Sequence, residues 1–234
     1  MNGKALLVTG GGSGIGAAVA RRFTAEGGQV AVLDVDGEKA SAVAEELENA
    51  VWLEGDVSDE AAVEAAVAEA RHRLGSIDSV VNAAGHHSFG SLGTTSLGDW
   101  NKMLAVHATG TFLVCRATLP HLCDAGGGSI VNIASVAAVV ARPRNTAYCT
   151  AKGAVVALSR QLALDLAPDG IRVNALAPGR VLTPMSIENY TTIGGGDLQV
   201  GMHRAAAEDT PLGRVARPEE IAACACFLLS GDAS

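Results

Sequence analysis

The stretch KALLVTGGGSGIG, residues 4–16, decides the fold that this sequence predicts. Its first six residues read as a short buried strand, residues 10–16 as a glycine-rich turn, and the amphipathic segment up to Gly27 as a helix. A helix N-terminus in this position presents backbone N–H groups and the positive end of the helix dipole to a pyrophosphate. The stretch therefore predicts a dinucleotide site. The residues expected to contact the dinucleotide here are Gly10, Ser13, Gly14, Ile15 and Gly16.

The second predicted strand, residues 29–34, ends on Asp34, eighteen residues after Gly16. A carboxylate at this place can accept both hydroxyls of the adenosine ribose and would repel a 2′-phosphate. No Arg or Lys lies within residues 10–16 to neutralise such a phosphate. A glycine turn alone can be only a tight turn, and Asp34 alone only a solvated strand end. In combination with the strand and the helix, they predict NAD as the cofactor in preference to NADP.

Three side chains in the middle of the chain, Ser135, Tyr148 and Lys152, suggest proton transfer on an alcohol. Tyr-x-x-x-Lys places two side chains one helical turn apart on one face, although the pattern also occurs by chance. Lowering a tyrosine pKa from about 10 to about 7 requires about 4 kcal/mol. A positive charge about 4 Å away supplies on the order of 4 kcal/mol at an effective dielectric near 20. The lysine ammonium, helped by an oxidised nicotinamide, is therefore expected to favour the phenolate, while the serine hydroxyl holds the substrate oxygen.

Strand-like and helix-like segments alternate along the whole chain. Strands are predicted at residues 4–9, 29–34, 51–54, 77–82, 129–134 and 172–176, with helical patterns between them. Such alternation predicts an α/β fold of the Rossmann type, a doubly wound parallel sheet with helices on both faces, in three layers. Residues 1–234 are expected to form one domain. Ligands in such sheets bind beyond the carboxyl ends of the strands, where the strand order reverses.

Composition excludes several other classes of protein. The formal net charge of −8 argues against nucleic acid or an anionic membrane as a partner. No apolar run approaches the eighteen or more residues of a membrane span, and the N-terminus is too short for a signal peptide. The five cysteines show neither metal-ligand spacing nor a disulfide framework. These features predict a cytoplasmic protein without a metal site.

With these motifs in place, the chain resembles a short-chain dehydrogenase/reductase of standard length. The resemblance covers essentially all 234 residues and rests on the order and spacing of several segments. They are TGGGSGIG at 9–16, Asp56-Val57, NAAG at 82–85, Ser135, YCTAK at 148–152 and NALAPGRVLTP at 174–184. The resemblance implies a Rossmann fold and a hydride transfer between NAD(H) and a secondary alcohol or ketone, with Tyr148 as the general acid and base.

The resemblance also implies further roles for particular residues. Asp56 and Val57 would flank the adenine, and Lys152 would hydrogen-bond the nicotinamide ribose while Ser135 and Tyr148 grip the reacting oxygen. The adenosine ribose and the central strand would be lined by Asn82, Ala83 and Gly85, and the nicotinamide and pyrophosphate would be held by Pro178, Gly179, Val181 and Thr183.

The sequence departs from the family pattern in two places. The family places an asparagine, which helps to hold a proton-relaying water, where this chain has His107. An imidazole that titrates near pH 6.5 can replace it in the relay, or can simply fill space between helices. Family members also continue beyond the segment matching FLLSGDAS with a final strand. Because this sequence stops at Ser234, that strand is expected to be missing.

The substrate side is expected in two regions of the chain. Residues 183–210 read as a long loop whose glycines at 194–196 suggest a lid, or else a disordered excursion. Side chains expected to face the substrate from it are Met185, Ile187, Tyr190, Leu198 and Met202. His86, His87 and Phe89 form the opposite wall or are solvated loop residues. Arg142 and Arg144 bind a substrate anion or are ordinary surface arginines.

The sequence therefore predicts an NAD-dependent short-chain alcohol dehydrogenase or carbonyl reductase acting on a small-molecule alcohol or ketone. A 3-oxoacyl-thioester reductase is the nearest alternative, although most such enzymes prefer NADPH. A non-catalytic NAD-binding regulator is the alternative of another class, and an epimerase or dehydratase would need a larger substrate domain. The helices at 99–123 and 146–167 carry many small and apolar residues, and the resemblance implies that they form the interface of a homotetramer or homodimer.

Overall fold

The sheet of the protein consists of six parallel strands. The structure is a computed structural model, and it describes residues 1–234. The strands are β1 (Ala5–Thr9), β2 (Gln29–Asp34), β3 (Ala50–Glu54), β4 (Ser79–Asn82), β5 (Gly128–Ile133) and β6 (Ile171–Leu176). Their order across the sheet is β3-β2-β1-β4-β5-β6, so the order reverses between β1 and β4. All six predicted strands are present, and the predicted doubly wound parallel sheet is confirmed.

Helices cover both faces of this sheet. They are α1 (Gly14–Ala25), α2 (Gly37–Glu45), α3 (Glu60–Leu74), α4 (Leu97–Leu104), α5 (Gly110–Asp124), α6 (Thr146–Asp165), α7 (Pro184–Ile193), α8 (Leu198–Asp209) and α9 (Pro218–Leu229). Neighbouring residues of β1 belong to different cores, because successive side chains of a strand point to opposite faces. Leu6 packs with Phe23 of α1 and Leu229 of α9, whereas Leu7 packs with the core that includes Leu113 of α5. The three-layer arrangement is thus confirmed.

The glycine turn after β1 depends on close backbone contacts. Gly10 has φ +63°, and a Cβ at this position would lie 2.7 Å from the backbone nitrogen of Ala84. A Cβ on Gly16 would overlap with the carbonyl oxygen of Gly10. Only glycine fits such places, because it has no Cβ and accepts a positive φ at low cost. The turn therefore brings the start of α1 directly against the ends of β1 and β4.

The prediction of a long loop at residues 183–210 is wrong, because most of this segment folds into the helices α7 and α8. Their contact is so close that a Cβ on Gly201 would overlap with the carbonyl oxygen of Tyr190. The glycines at 194–196 make the short turn between the two helices, with positive φ at Gly195 and Gly196. A run of glycines that suggested a flexible hinge is thus the connection of a packed helical hairpin.

The hairpin has a small core of its own. Tyr190 is buried there with Ala205, Ala206 and Val215, and Leu198 and Met202 pack against this group. Leu198 and Met202 therefore stabilise the hairpin and do not line the cavity described below, contrary to their predicted role. Ile187 also lies outside that cavity and is exposed.

None of the helices combines the length and the apolar character that a membrane crossing requires. The five cysteines, Cys115, Cys123, Cys149, Cys224 and Cys226, are all free thiols. No group of three or more metal-ligating side chains comes together.

Candidate active site

A cavity of about 770 Å³ opens at the carboxyl edge of the sheet, where the strand order reverses. Its walls come from the glycine turn, from the ends of β2, β4 and β5, from the segment after β6, and from the hairpin α7–α8. This is the place at which doubly wound sheets bind ligands, and its volume lies within the usual range for small-molecule and cofactor sites.

The glycine-turn end of the cavity fits an anion such as a pyrophosphate. Ser13 occupies the N-cap position of α1 in an extended conformation, yet its side chain makes no capping hydrogen bond. The first backbone N–H groups of α1 thus remain available to a ligand. Gly14, with φ +53°, keeps the approach to them free of a side chain. The residues present therefore fit the phosphate portion of a dinucleotide.

Asp34 lies beside this turn at the end of β2. Its Oδ2 accepts a 2.9 Å hydrogen bond from the backbone N–H of Gly12, and its Oδ1 accepts a 3.1 Å bond from that of Asp36. An ionised carboxylate has about four acceptor positions, so capacity for ribose hydroxyls remains. A Cβ on Gly12 would come within 2.9 Å of Oδ2, so only glycine leaves this carboxylate uncrowded.

The structure brings nearly all the other predicted cofactor residues to the same cavity. Besides the turn and Asp34, the residues that line it are Asp56, Val57, Ala83, Gly85, Tyr148, Lys152, Pro178, Gly179, Val181 and Thr183. Asn82 is the exception. Its side-chain amide donates to Asn132 Oδ1 at 2.8 Å inside the sheet, and Asn132 in turn donates to Ser159 Oγ at 2.9 Å. Asn82 therefore ties β4 to β5 and α6 and does not face the cavity.

Ser135, Tyr148 and Lys152 meet beside the end of β5. Ser135 follows this strand, while Tyr148 and Lys152 lie one turn apart on α6. The Lys152 Nζ donates a 2.6 Å hydrogen bond to the carbonyl oxygen of Ile133, and it lies 5.9 Å from the centre of the Tyr148 ring. All three residues line the cavity. The predicted juxtaposition of hydroxyl, phenol and amine is thus present.

Burial controls the protonation of this group more strongly than the sequence suggested. Burial raises the pKa of Tyr148, and the nearby Ser135 hydroxyl opposes this effect. Burial also lowers the pKa of Lys152 to about 7. We expected the lysine ammonium to bring the tyrosine pKa toward neutrality. Desolvation outweighs that effect here, because it disfavours the charged form of both side chains.

His107 lies on a π-helical turn, Ala105–Thr109, that divides the helix predicted at residues 99–123 into α4 and α5. The imidazole is almost fully buried, and it reaches its place because Gly85 has no Cβ to collide with it. Its Nε2 lies 2.8 Å from the carbonyl oxygen of His86 and 3.3 Å from the backbone N–H of the same residue, and its Nδ1 has no hydrogen-bond partner. The shorter contact, with the carbonyl oxygen, assigns the proton to Nε2, and Nδ1 is then an acceptor.

His107 does not titrate near pH 6.5 as the sequence suggested. Burial, together with the positive charge of Lys152, lowers its pKa to about 3. The imidazole is neutral around pH 7, so it offers a fixed donor and a fixed acceptor and does not exchange a proton as a free histidine does.

The substrate end of the cavity contains the predicted residues His86, Arg142 and Met185. Tyr190, His87 and Phe89 also line it, whereas Arg144 is exposed outside it. Arg142 is paired with Asp209 at the end of α8. The same carboxylate accepts a 2.7 Å bond from Nε of Arg180.

Several residues that line the cavity are not expected from the sequence patterns: Lys102, Asn145, Arg180, Asn189, Ile193, Glu208 and Asp209. The position of Asn145 could have drawn attention to it, because it is the polar residue at the N-cap of α6, where such a side chain is expected to make a capping hydrogen bond. Its side chain makes no capping bond and is used elsewhere in the site. Asp209 had no local signal, because its two arginine partners lie 67 and 29 residues away in the sequence.

Comparison with known proteins places this geometry in context. The model of the family described as "Enoyl-(Acyl carrier protein) reductase" matches residues 10–234. A D-threitol dehydrogenase of Mycolicibacterium smegmatis is 39% identical over 100% of this chain and 88% of its own length. A meso-2,3-butanediol dehydrogenase of Serratia marcescens is 40% identical over 99% of this chain and 89% of its own.

A protein of Xanthobacter autotrophicus named inactive 2-(S)-hydroxypropyl-CoM dehydrogenase 2 is 42% identical over 92% of this chain and 93% of its own length. Among solved structures, a 3-ketoacyl-(acyl-carrier-protein) reductase from Brucella melitensis, complexed with NADH, superposes with a TM-score of 0.89 at 34% identity. That alignment covers 99% of this chain and 93% of the reductase.

Proposed function

The chain belongs to the short-chain dehydrogenase/reductase family and is an oxidoreductase of secondary alcohols and ketones that uses a nicotinamide cofactor, and we propose that this cofactor is NAD. We propose further that Tyr148 is its general acid and base. The single observation that carries the assignment is the common cavity, which joins the pyrophosphate-type turn and Asp34 to the Ser135–Tyr148–Lys152 group.

The position of Asp34 supports NAD over NADP. Its carboxylate stands at the end of β2 next to the turn, where the 2′-phosphate of NADP would meet a negative charge. The residue after it is the exposed Val35, and the nearby cation Lys39 is already paired with Asp36 at 2.5 Å. The NADH in the related Brucella reductase agrees with this choice.

The side chains would divide the proton chemistry as follows. Tyr148 takes the hydroxyl proton at its phenolic oxygen, and Ser135 holds the same substrate oxygen through its hydroxyl. Lys152 has one of its three N–H donors bound to Ile133, which leaves two for the cofactor ribose. When bound, the oxidised nicotinamide supplies the hydride acceptor and a positive charge close to the phenol.

His107 would stand where the family pattern has a water-holding asparagine, and its neutral ring would hold a donor there without itself exchanging a proton. We propose that its neutral Nδ1 accepts a hydrogen bond from a water or from another donor beside Lys152. Support comes from the buried, unpartnered Nδ1 and from the charge of Lys152, which acts on the imidazole pKa.

A direct assay tests the proposed function. Purified protein is mixed with NAD or NADP and a panel of secondary alcohols, and the formation of reduced cofactor is followed by absorbance. We expect reduction of NAD with at least one alcohol, at a kcat/KM above that for NADP. Cofactor binding without turnover across the panel would contradict the proposed enzymatic activity and favour a non-catalytic NAD-binding regulator. The Xanthobacter relative that is named as inactive is a reason to include this alternative.

One further candidate activity is the reduction of 3-oxoacyl thioesters, because the Brucella neighbour is named for that reaction. An acetoacetyl thioester with NADH distinguishes it. A kcat/KM above that for simple ketones would make the thioester reductase the better assignment.

We also propose that the protein is a cytoplasmic homodimer or homotetramer. Phe112 on α5 and Leu164 on α6 are 42% and 73% exposed, which supports burial of these helices between subunits. Light scattering that finds only a monomer would contradict the assembly.

A further inference from the structure

The loop that follows β4 is fastened to the start of α6. The backbone N–H of Gly90 donates to the carbonyl oxygen of Arg144 at 2.8 Å, and the N–H of Thr146 donates to the carbonyl oxygen of Gly90 at 3.1 Å. These two bonds fix the loop residue His87 relative to Tyr148, which lies two residues into α6 beyond Thr146. The His87 side chain is therefore part of a rigid wall.

Two aromatic rings hold the His87 imidazole. Its centre lies 4.6 Å from that of Tyr148 at an interplanar angle of 65°, and 4.3 Å from that of Phe89 at 71°. Both are edge-to-face contacts, a geometry that aromatic pairs favour. The imidazole therefore has a defined orientation against the proposed general acid and base.

Hydrogen bonds also fix the tautomer of His87. The Asn145 amide nitrogen donates to the carbonyl oxygen of Pro143 at 2.8 Å, so its oxygen Oδ1 faces His87. Because Oδ1 can only accept, the His87 Nε2, 2.7 Å away, must carry the proton. Burial lowers the pKa of His87, which keeps the ring neutral near pH 7. Nδ1 then has a free lone pair, and no protein group donates to it.

We propose that His87 determines substrate specificity: its Nδ1 accepts a hydrogen bond from a second substrate hydroxyl, on the carbon next to the one that is oxidised. The inference rests on the proposed function and names its substrate class as vicinal diols and polyols. The Tyr148 and His87 rings are in contact. Two substrate oxygens that bind to these two side chains at the same time must therefore lie close to each other, as hydroxyls on adjacent carbons do. Asn145 is the positioning residue, because it fixes the His87 tautomer.

The reaction itself is unchanged by this second contact. The carbinol carbon loses a hydride to the oxidised cofactor, its hydroxyl loses a proton to Tyr148, and a ketone forms. The neighbouring hydroxyl keeps its proton and donates a hydrogen bond to Nδ1 throughout. A site that hydrogen-bonds a substrate hydroxyl rejects the analogue that lacks it, since its polar group is then left unpaired.

Three alcohols with NAD test the proposal: 2-butanol, 1,3-butanediol and 2,3-butanediol. In the unmodified protein, we expect the highest kcat/KM for the vicinal diol. In His87→Gln, the longer amide side chain keeps a donor toward Asn145 but places no acceptor at the Nδ1 position. The ratio of kcat/KM for 2,3-butanediol over 2-butanol should therefore fall about tenfold. His87→Asn keeps an acceptor near that position and should retain more of the ratio.

Ser88→Ala is the matched control, since Ser88 neighbours His87 in the same loop but does not line the cavity. It should leave the ratio as in the unmodified protein. Asn145→Ala should lower the ratio, as a positioning residue does, with less effect on 2-butanol.

The outcomes separate the two proposals. If no alcohol of the wider panel yields NADH, the proposed function is wrong and the inference falls with it. If other secondary alcohols yield NADH but 2,3-butanediol does not, the function stands and the inference is wrong. If NADH forms but His87→Gln leaves the diol ratio unchanged, the function stands and the role of His87 is wrong. An equal loss for 1,3-butanediol would overturn the assignment to adjacent carbons.

Discussion

The Lys152 Nζ lies 5.9 Å from the centre of the Tyr148 ring while it donates a 2.6 Å hydrogen bond to the carbonyl oxygen of Ile133. The amine is thus anchored to β5 and not to the phenol. Changes at the tyrosine hydroxyl leave this anchor in place, so variants of Tyr148 are expected to fold and to report on chemistry alone.

Tyr148→Phe should abolish most of the turnover while cofactor binding remains. The variant keeps the ring contacts with His87 and His107 but removes the group that takes the proton. Because general acid–base catalysis contributes about 10²- to 10⁴-fold, kcat should fall within that range. Stopped assays measure kcat and titration of NADH fluorescence measures binding. Activity close to that of the unmodified protein would remove Tyr148 from the mechanism.

Asp34→Asn should shift the cofactor preference toward NADP. Asparagine keeps an oxygen that can accept from the Gly12 N–H but loses the charge that repels a 2′-phosphate. We expect the ratio of kcat/KM for NADP over NAD to rise about tenfold, measured by initial rates with both cofactors. Asp59→Asn is the matched control, because this carboxylate caps α3 outside the cavity. An equal rise of this ratio in both variants would show that the overall charge of the protein, and not the position of Asp34, sets the cofactor preference.

Asp209→Asn should make the cavity more receptive to anions. Asp209 is paired with both Arg142 and Arg180, and the loss of its charge leaves two cationic side chains in the wall. The ratio of kcat/KM for 3-hydroxybutyrate over 2-butanol should rise about fivefold, as expected from partly exposed ion pairs of about 1 kcal/mol. Glu208→Gln serves as the control, since its carboxylate contacts Arg180 only at 3.5 Å and is 68% exposed. A rise in the control but not in Asp209→Asn would contradict the pairing.

His107→Asn should make the protein more resistant to mild acid. The pKa of His107 is about 3 in the folded chain, and an unfolded histidine titrates near 6.5. Because the unfolded state binds a proton that the folded state refuses, the unmodified protein loses stability as pH falls from about 6.5 to 3. Between pH 7 and pH 5, the free energy of unfolding of the variant should rise by about 2 kcal/mol relative to the unmodified protein.

Urea unfolding at the two pH values measures this difference. His72→Asn, at an exposed position of α3, is the control that changes a histidine without changing the core. Parallel pH dependence in the unmodified protein and His107→Asn would show that the imidazole is not the source of the acid lability.

Much of the fold and the site could be predicted because the responsible signals are local. Alternating buried strands and helices require only the side-chain periodicity of each segment, and the glycine turn at residues 10–16 needs glycine wherever it meets Ala84 or its own backbone. Asp34 ends β2, Ser135 follows β5, and Tyr148 lies one helical turn before Lys152 on α6. The parallel sheet then gathers these side chains at one edge.

The remainder depends on contacts between distant segments. The three consecutive glycines resemble a hinge in sequence, and only the packing of α7 on α8 shows that they form a turn. The same packing turns Leu198 and Met202 toward Tyr190 and away from the cavity. The π-helical turn that buries His107, the buried network of Asn82 and the two pairs of Asp209 all need partners that no local pattern specifies.

The hairpin α7–α8 leaves and rejoins the body of the protein at one place. Val181 and Ala216 are bridged as neighbours, with the Leu182 N–H bonded to the carbonyl oxygen of Ala216 at 2.9 Å and the Ala216 N–H to that of Arg180 at 2.9 Å. Residues 182–215 are therefore a cassette clamped at its base. We expect that the part of this cassette beyond the cofactor residue Thr183 can be exchanged, lengthened or shortened to refit the enzyme to another alcohol, while the sheet and its dinucleotide edge stay in place.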